Sequence, residues 1–328
     1  MTDTETITEG TSENPVTSAV ARLSVVIGGP GRRAGHPEHG HPEATIEALA
    51  AQTGSGPIEI LLVANGAAEV DEQWARRRNV RIVPVDEDAT YYEMKNAGGS
   101  ATTTEFVAFT DVDCVPGPEW AAAALAALES GADVVTGRSR YAGPGRWANV
   151  MGFFDLGVIG RRSDGSATLL MLHNMAFRRQ AFLTHQLDTR SRRSGGCYLV
   201  TERLRADNLS LAFVPEMAVT HENDYRDGMA LSKRLRNGHD AAALFRLDDT
   251  GLLPYRWIAP LGPFGAPLVA GKRIWDDWVR LWRRHGELDI SIAEIPLVAL
   301  LSIPLRLIEG GAYALSSVRP SIIGKYWG

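Results

Sequence analysis

Residues 80–120, VRIVPVDEDATYYEMKNAGGSATTTEFVAFTDVDCVPGPEW, decide the fold. VRIVPV is an apolar, β-branched run of strand length, YYEMKNAGGSAT has helical character, and EFVAFT is a second apolar run. The second run leads directly into Asp111-Val112-Asp113. Residues two apart on an extended segment point the same way, so both carboxylates can face one ion. A magnesium or manganese ion takes one or two carboxylates and completes its shell with water and substrate phosphates, which outlines a nucleotide-diphosphate site. The plainer alternative is that the acidic pair caps the helix that follows.

Outward from this stretch the same alternation continues. LSVVI, ATIEALAAQ, IEILLVA and VDEQWARRR precede it, and EWAAAALAALES and ADVVTG close and follow it. Strand and helix in turn predict an α/β fold around a mainly parallel, Rossmann-like sheet. Near-continuous apolar strands predict that both faces are covered. Ligands of such sheets bind beyond the carboxyl ends of the strands, where Asp111 and Asp113 fall. From about Asp224 clustered arginines, prolines and tryptophans replace the alternation. The expected organisation is a tail at 1–20, an α/β domain at 21–225 and a helical region at 226–328.

Composition sets broad bounds. The formal net charge of -5 argues against nucleic acid as a partner. Cys114 and Cys197 lie far apart and fit no paired metal-ligand spacing, which suggests a reducing compartment and a cytoplasmic location. MTDTETITEGTSENPVTSAV is acidic and poor in large apolar side chains, so it reads as a disordered tail, with neither the basic start nor the apolar core of a secretion signal.

In order, Lys95, Asn96, Ala97, Gly98, Asp111, Asp113, Pro116, Pro118 and Trp120 resemble the core pattern of the family 2 glycosyltransferases, which have a GT-A fold. HNMAFRRQAF (173–182) is similar to the family's acceptor-side segment, and RLRADNLSLAFVPEMAVTHE (203–222) to its closing helix, strand and histidine. The likeness runs from about residue 22 to 223. It implies an inverting transfer, in which an acceptor hydroxyl attacks the anomeric carbon of a nucleotide sugar while the nucleoside diphosphate leaves. Such chemistry needs charge stabilisation on the leaving group and a base for the hydroxyl. The resemblance implies Asp111 and Asp113 as ligands of Mn2+ or Mg2+, with His221 as a further ligand or a structural hydrogen-bonding residue. It assigns Asn65, Lys95, Asn96, Asp111 and Asn174 to nucleotide-sugar binding.

Three departures stand out. The family's Glu-Asp pair, whose Asp deprotonates the acceptor, is replaced by Gly196 and Cys197. Glu202, further along the same helix, is the substitute base, with a surface ion pair to a neighbouring arginine as its plainer role. Where the family has Asp-Asp or Asp-Asn after the second strand, this chain has Ala64-Asn65-Gly66, which leaves the nucleotide base open. The loop after the first strand, GGPGRRAGHPEHGHPE (28–43), is long. Within it, Gly29, Gly31 and Ala34 match a dinucleotide fingerprint, but His36-Pro37 breaks the helix that motif needs. His36, His39 and His41 are alternative metal ligands, set against a solvated loop over the nucleotide mouth.

In GKRIWDDWVRLWRRHG (271–286), Trp275, Trp278 and Trp282 share a helical face, with Lys272, Arg273, Arg280, Arg283 and Arg284 around it. Such a helix suits an anionic membrane interface or packs on the catalytic domain. ISIAEIPLVALLSIPLRLIEGGAYAL (290–315) is apolar but carries Glu294, Arg306 and two prolines, so it reads as a monotopic or re-entrant anchor rather than a span. Its end resembles the apolar tails of bacterial members of the family.

The expected function is metal-dependent transfer of a sugar from a nucleotide-diphosphate donor to a glycan or lipid-linked, cell-envelope acceptor, at the inner face of the cell membrane. The alternative is a catalytically degenerate relative that binds nucleotide sugar or a partner enzyme.

Overall fold

The computed structural model describes residues 20–28, 42–65, 71–143, 146–190, 195–222, 229–248, 251, 253 and 255–321. The tail at 1–19, the fingerprint glycines and His36, His39 and His41 lie outside these residues.

The first half is built as its apolar runs dictate. Strand β1 (Leu23–Gly28), helix α1 (Glu43–Ala50), strand β2 (Ile58–Asn65), helix α2 (Glu72–Arg77), strand β3 (Val80–Val85), helix α3 (Tyr91–Ala101) and strand β4 (Phe106–Asp111) follow in turn. Then come β5 (Cys114–Pro116), α4 (Trp120–Glu129), β6 (Val134–Tyr141), α5 (Arg146–Leu156), β7 (Asn174–Arg178), α6 (Arg179–Thr184), α7 (Gly196–Ala206) and β8 (Leu211–His221). The strands form one sheet in the order β3-β2-β1-β4-β7-β6-β8-β5.

The parallel expectation holds for β3, β2, β1 and β4. Beyond β4 the sheet is mixed: β7 runs antiparallel to β4 and β6, β6 is parallel to β8, and β5 is antiparallel to β8. One reason is local. Only Val112 and Asp113 separate β4 from β5, too short a link for a parallel crossover.

Both faces of the sheet are covered. Leu23, Val25 and Ile27 of β1 pack with Ile46 of α1 and Trp120 of α4, whereas Val26 packs with Tyr92 of α3, Phe182 of α6 and Leu204 of α7. This is the period-2 alternation of a strand buried on both sides. Helix α3 starts at a capping box between Thr90 and Glu93 and lies close on the sheet through two glycines. A Cβ at Gly98 would stand 2.3 Å from Val26 Cγ1, and one at Gly99 would stand 2.2 Å from the Phe182 ring.

After residue 228 the described chain is helical: α8 (Met229–Leu247), α9 (Ala266–Arg284) and α10 (Ile295–Val318), with 3-10 turns between. Gly238 lets α8 approach α10 closely, since a Cβ there would lie 2.1 Å from the Glu309 carbonyl oxygen. The charges in the apolar 290–315 segment are turned inward. Glu309 is fully buried among Arg234 (3.0 Å), Arg306 (2.7 Å) and Arg273 (2.5 Å), and Arg306 also pairs with Asp277 at 2.7 Å. Glu294 closes a capping box with Ser291. The charges of the segment expected as a monotopic or re-entrant anchor thus lie inside a helical layer, and among the described residues no helix is long and apolar enough to cross a membrane.

Candidate functional site

Asn65 and Asp111 end β2 and β4 on either side of β1, whose Gly28 sits level with Val63 and Asp111. Gly28 is glycine for a reason of space. A Cβ there would come 3.1 Å from Lys95 Cε and 3.2 Å from its Nζ, so the missing side chain admits the lysine beneath the strand ends.

Lys95 is fully enclosed; its Nζ lies 2.6 Å from Asp111 Oδ1 and donates to the Thr110 carbonyl. The Tyr91 hydroxyl lies 2.8 Å and 3.0 Å from the two oxygens of Asp111. Burial alone would push the Asp111 carboxyl up, but the Lys95 ammonium and the Tyr91 hydrogen bond hold it below its ordinary range. Asp111 is therefore a fixed anion, and Lys95 is its countercharge rather than a group presented to a ligand.

Asp113 is different. Burial raises its carboxyl above the usual range, and nearby Asp111 adds to this while His221 opposes it. His221 Nδ1 lies 3.6 Å from Asp113 Oδ2. Strand register brings them together: His221 pairs with Cys114 across β5–β8 and with Tyr141 across β6–β8. Ligand atoms of Asp113, Cys114 and His221 lie within 4.8 Å of one another. Burial pushes the Cys114 thiol well up, which leaves Asp113 and His221 as the better donors. The turn is pinned from outside, because Thr45 Oγ1 donates to the carbonyls of Val112 and Cys114 at 3.0 Å and 2.9 Å, and the Glu222 N–H to that of Asp113 at 2.7 Å.

Among the described residues, the buried polar atoms without a hydrogen-bond partner include Asn65 Oδ1 and His221 Nδ1 in this region. Each orphaned acceptor is where the sequence expects a ligand, a nucleotide base at one and a divalent ion at the other. The carboxylate suits manganese or magnesium, and the imidazole favours manganese, the softer of the two.

Sequence reasoning missed Lys233 of α8. Its Nζ contacts the Tyr141 hydroxyl at 2.5 Å and Asp155 at 3.2 Å and lies over the Tyr141 ring. Tyr141 in turn stacks edge-on against His221 at 5.6 Å. Burial, helped by Arg236, lowers the Lys233 ammonium to about 7, and the Asp113 charge acts against this. On the other side of His221, the His173 ring lies 5.5 Å away and bonds to Ser139 Oγ at 2.8 Å. Burial and His221 lower His173 to about 3, so it stays neutral. The K-R pattern in MALSKRLRNG carries no motif; only the packing of α8 on β6 brings its lysine to the site.

Other expected residues have their polar groups engaged elsewhere, although Asn174 lies opposite Thr110 in the β4–β7 register. The Asn96 amide is clipped in both directions to the Leu187 backbone, at 2.9 Å and 3.0 Å. Asn174 is fully enclosed: it accepts from Trp120 Nε1 at 2.8 Å and donates to the carbonyls of Arg138 and Met217 at 3.0 Å. Both asparagines hold the scaffold. Glu202 pairs with Arg205, which is itself anchored on the carbonyls of Ala167 (2.6 Å) and Thr168 (2.7 Å), away from Asp111 and Asp113. Asp188 is held by Arg190 and Arg203. At the head of α7 the Gly196 N–H donates to the Tyr92 hydroxyl at 2.9 Å, and a Cβ at 196 would lie 2.6 Å from the Tyr92 ring, so no carboxylate side chain fits there as built. Burial pushes the Cys197 thiol to about 11, which rules out a thiolate base at neutral pH.

A mixed sheet with a parallel half and helices on both faces is a fold of the GT-A type. Residues 43–185 match the family model described as Glycosyl transferase family 2. No curated protein matches the chain. Among solved structures it is similar in fold to a mannosyltransferase, PcManGT from Pyrobaculum calidifontis, solved in complex with GDP-Man and Mn2+. That match has 15% identity and a TM-score of 0.58, and it covers 94% of this chain and 91% of the other. A mycobacterial protein aligns at 16% identity and a TM-score of 0.46, over 68% of this chain and 74% of its own.

Proposed function

We propose that this protein is a metal-dependent, inverting glycosyltransferase that moves a sugar from a nucleotide-diphosphate donor to a cell-envelope acceptor. The observation that carries the reading is the convergence of Asp113 and His221, with His221 Nδ1 buried and without a hydrogen-bond partner. These two residues would hold Mn2+ or Mg2+, with Asp111 as the fixed charge behind them. When bound, the ion supplies charge neutralisation for the leaving diphosphate. Lys233, lowered to about 7, lies behind Tyr141 on the same side, and Asn65 Oδ1 offers an acceptor to the N–H edge of a nucleotide base. The mannosyltransferase of similar fold, solved with GDP-Man and Mn2+, supports a donor and an ion of these classes.

The site is proposed to work at the inner face of the membrane, on its cytoplasmic side. Phe264, Leu268, Trp275, Trp278 and Trp282 form one stripe on α9 and the turn before it, with Phe264 at 85% and Trp282 at 79% exposure. Leu297, Leu300, Leu307 and Leu315 form an outward row on α10. Most of the basic residues around the tryptophans are turned to internal partners: Lys272 to Asp276, Arg273 to Glu309, Arg280 to Asp277 and Arg284 to Glu287. Contact with lipid would therefore be chiefly apolar.

A second reading, a relative that binds nucleotide sugar without turning it over, draws on the head of α7, where Gly196 and Cys197 offer no base. One experiment separates the two. Hydrolysis of a panel of nucleotide sugars with Mn2+ should occur in the native protein and be lost in Asp113→Ala and His221→Ala. Binding of a donor with no turnover to any acceptor would favour the second reading.

A further inference from the structure

A cavity of about 290 Å³ opens between the far end of β6, helix α5 and the turn after α9. Part of its wall is apolar, from Phe153, Leu156 and Phe213. Four arginines also line it: Arg138, Arg140, Arg161 and Arg284. Two of them are occupied. Arg284 pairs with Glu287 at 2.9 Å and donates to the Ile159 carbonyl at 2.8 Å, and Arg140 pairs with Asp289 at 3.0 Å. Arg161 gives one N–H to the Phe213 carbonyl at 3.2 Å, which leaves most of its fork open.

Arg138 is the informative one. It is half-buried beside the cavity, and its guanidinium makes no hydrogen bond or ion pair among the described residues. A guanidinium drawn partly out of water without a partner is costly, and its planar fork matches phosphate and carboxylate oxygens. The cavity adjoins the ion site. Tyr141 lines it and stacks on His221, and Ser139 lines it and bonds to His173.

We infer that this cavity receives the acceptor, and that the acceptor is an anionic amphiphile: a phosphate monoester held by Arg138 and Arg161, with its apolar chain against Phe153, Leu156 and Phe213. The acceptor role rests on the glycosyltransferase reading. It also accounts for the base-free head of α7. A phosphate monoester loses its second proton near pH 6, so at neutral pH its oxygen is an anion with no proton to remove. That oxygen forms the bond to the anomeric carbon, and the bond from this carbon to the donor's diphosphate breaks. The electron pair leaves with the nucleoside diphosphate. No protein base is called for, and an apolar chain would reach the cavity from a lipid surface.

Calorimetric titration of the full-length protein with hexyl phosphate, hexanol and inorganic phosphate tests this. Hexyl phosphate should bind about tenfold or more tightly than either of the others, and Arg138→Ala and Arg161→Ala should each weaken it by about tenfold. Arg138→Ala should leave Mn2+-dependent binding of nucleoside diphosphates unchanged, since it lies outside the donor site. Absence of hexyl phosphate binding, indifference to both substitutions, or equal binding of inorganic phosphate would overturn the proposal. If hexyl phosphate binds through Arg138 while the native protein binds no nucleoside diphosphate, the donor reading fails and the acceptor role with it.

Discussion

Lys95 Nζ lies 2.6 Å from Asp111 Oδ1, and the lysine is completely enclosed beneath the strand ends. The pair therefore works as an internal brace: the ammonium keeps Asp111 ionised, and Asp111 keeps the ammonium tolerable in the core. Removing one partner strands the other charge. Lys95→Met should destabilise the fold by about 3–5 kcal/mol, read by urea unfolding, and should weaken Mn2+-dependent nucleotide binding as well. A loss below about 1 kcal/mol would mean that the pair is solvated and not a brace.

Glu202 is held on Arg205, away from Asp111 and Asp113. Glu202→Gln should leave donor hydrolysis within about twofold of native, at a stability cost below about 1 kcal/mol. A collapse of turnover with intact donor binding would return Glu202 to the role of base.

The helical layer should carry an acid-sensitive step. Burial would raise the Glu309 carboxyl, but Arg273, Arg306 and Arg234 outweigh it and hold the group at about 2. A folded value below the unfolded one stabilises the fold above the unfolded value, about 4.3, and that contribution is lost as pH falls toward 2. Unfolding midpoints followed from pH 5 to pH 2 should fall for the native protein. In Glu309→Gln the fall over this window should be shallower, from a lower starting stability.

Membrane contact through the outward face should be apolar. The native protein should float with liposomes and stay bound in high salt, and a Phe264→Ser, Trp275→Ser, Trp282→Ser variant should remain in the soluble fraction. Release of the native protein by salt alone would show electrostatic attachment instead.

The parallel half of the sheet was legible because each strand is a buried apolar run and each helix has a clear period. The position of Asp111 and Asp113 at a strand end was legible too, since it follows from where the apolar run stops. The mixed half was not, because β5 is three residues long and gains its place only by pairing with β8. Motif position also could not separate an asparagine with an unfilled acceptor from one whose amide is fully bonded. Asn65 keeps an unsatisfied oxygen, whereas the Asn174 amide is filled by Trp120 and two carbonyls from distant strands. Lys233 and Arg138 escaped notice for the same physical reason. Their importance comes from long-range packing against Tyr141 and a cavity, and no local pattern in the chain records either.

Asp113 and His221 are proposed to form an ion-dependent diphosphate site. The most direct measurement is calorimetric binding of a panel of nucleoside diphosphates to the native protein, Asp113→Ala and His221→Ala, with and without Mn2+. Mn2+-dependent binding of at least one nucleotide to the native protein is expected, weakened by about tenfold or more in each variant. Nucleotide binding that ignores both the ion and the two substitutions would contradict it.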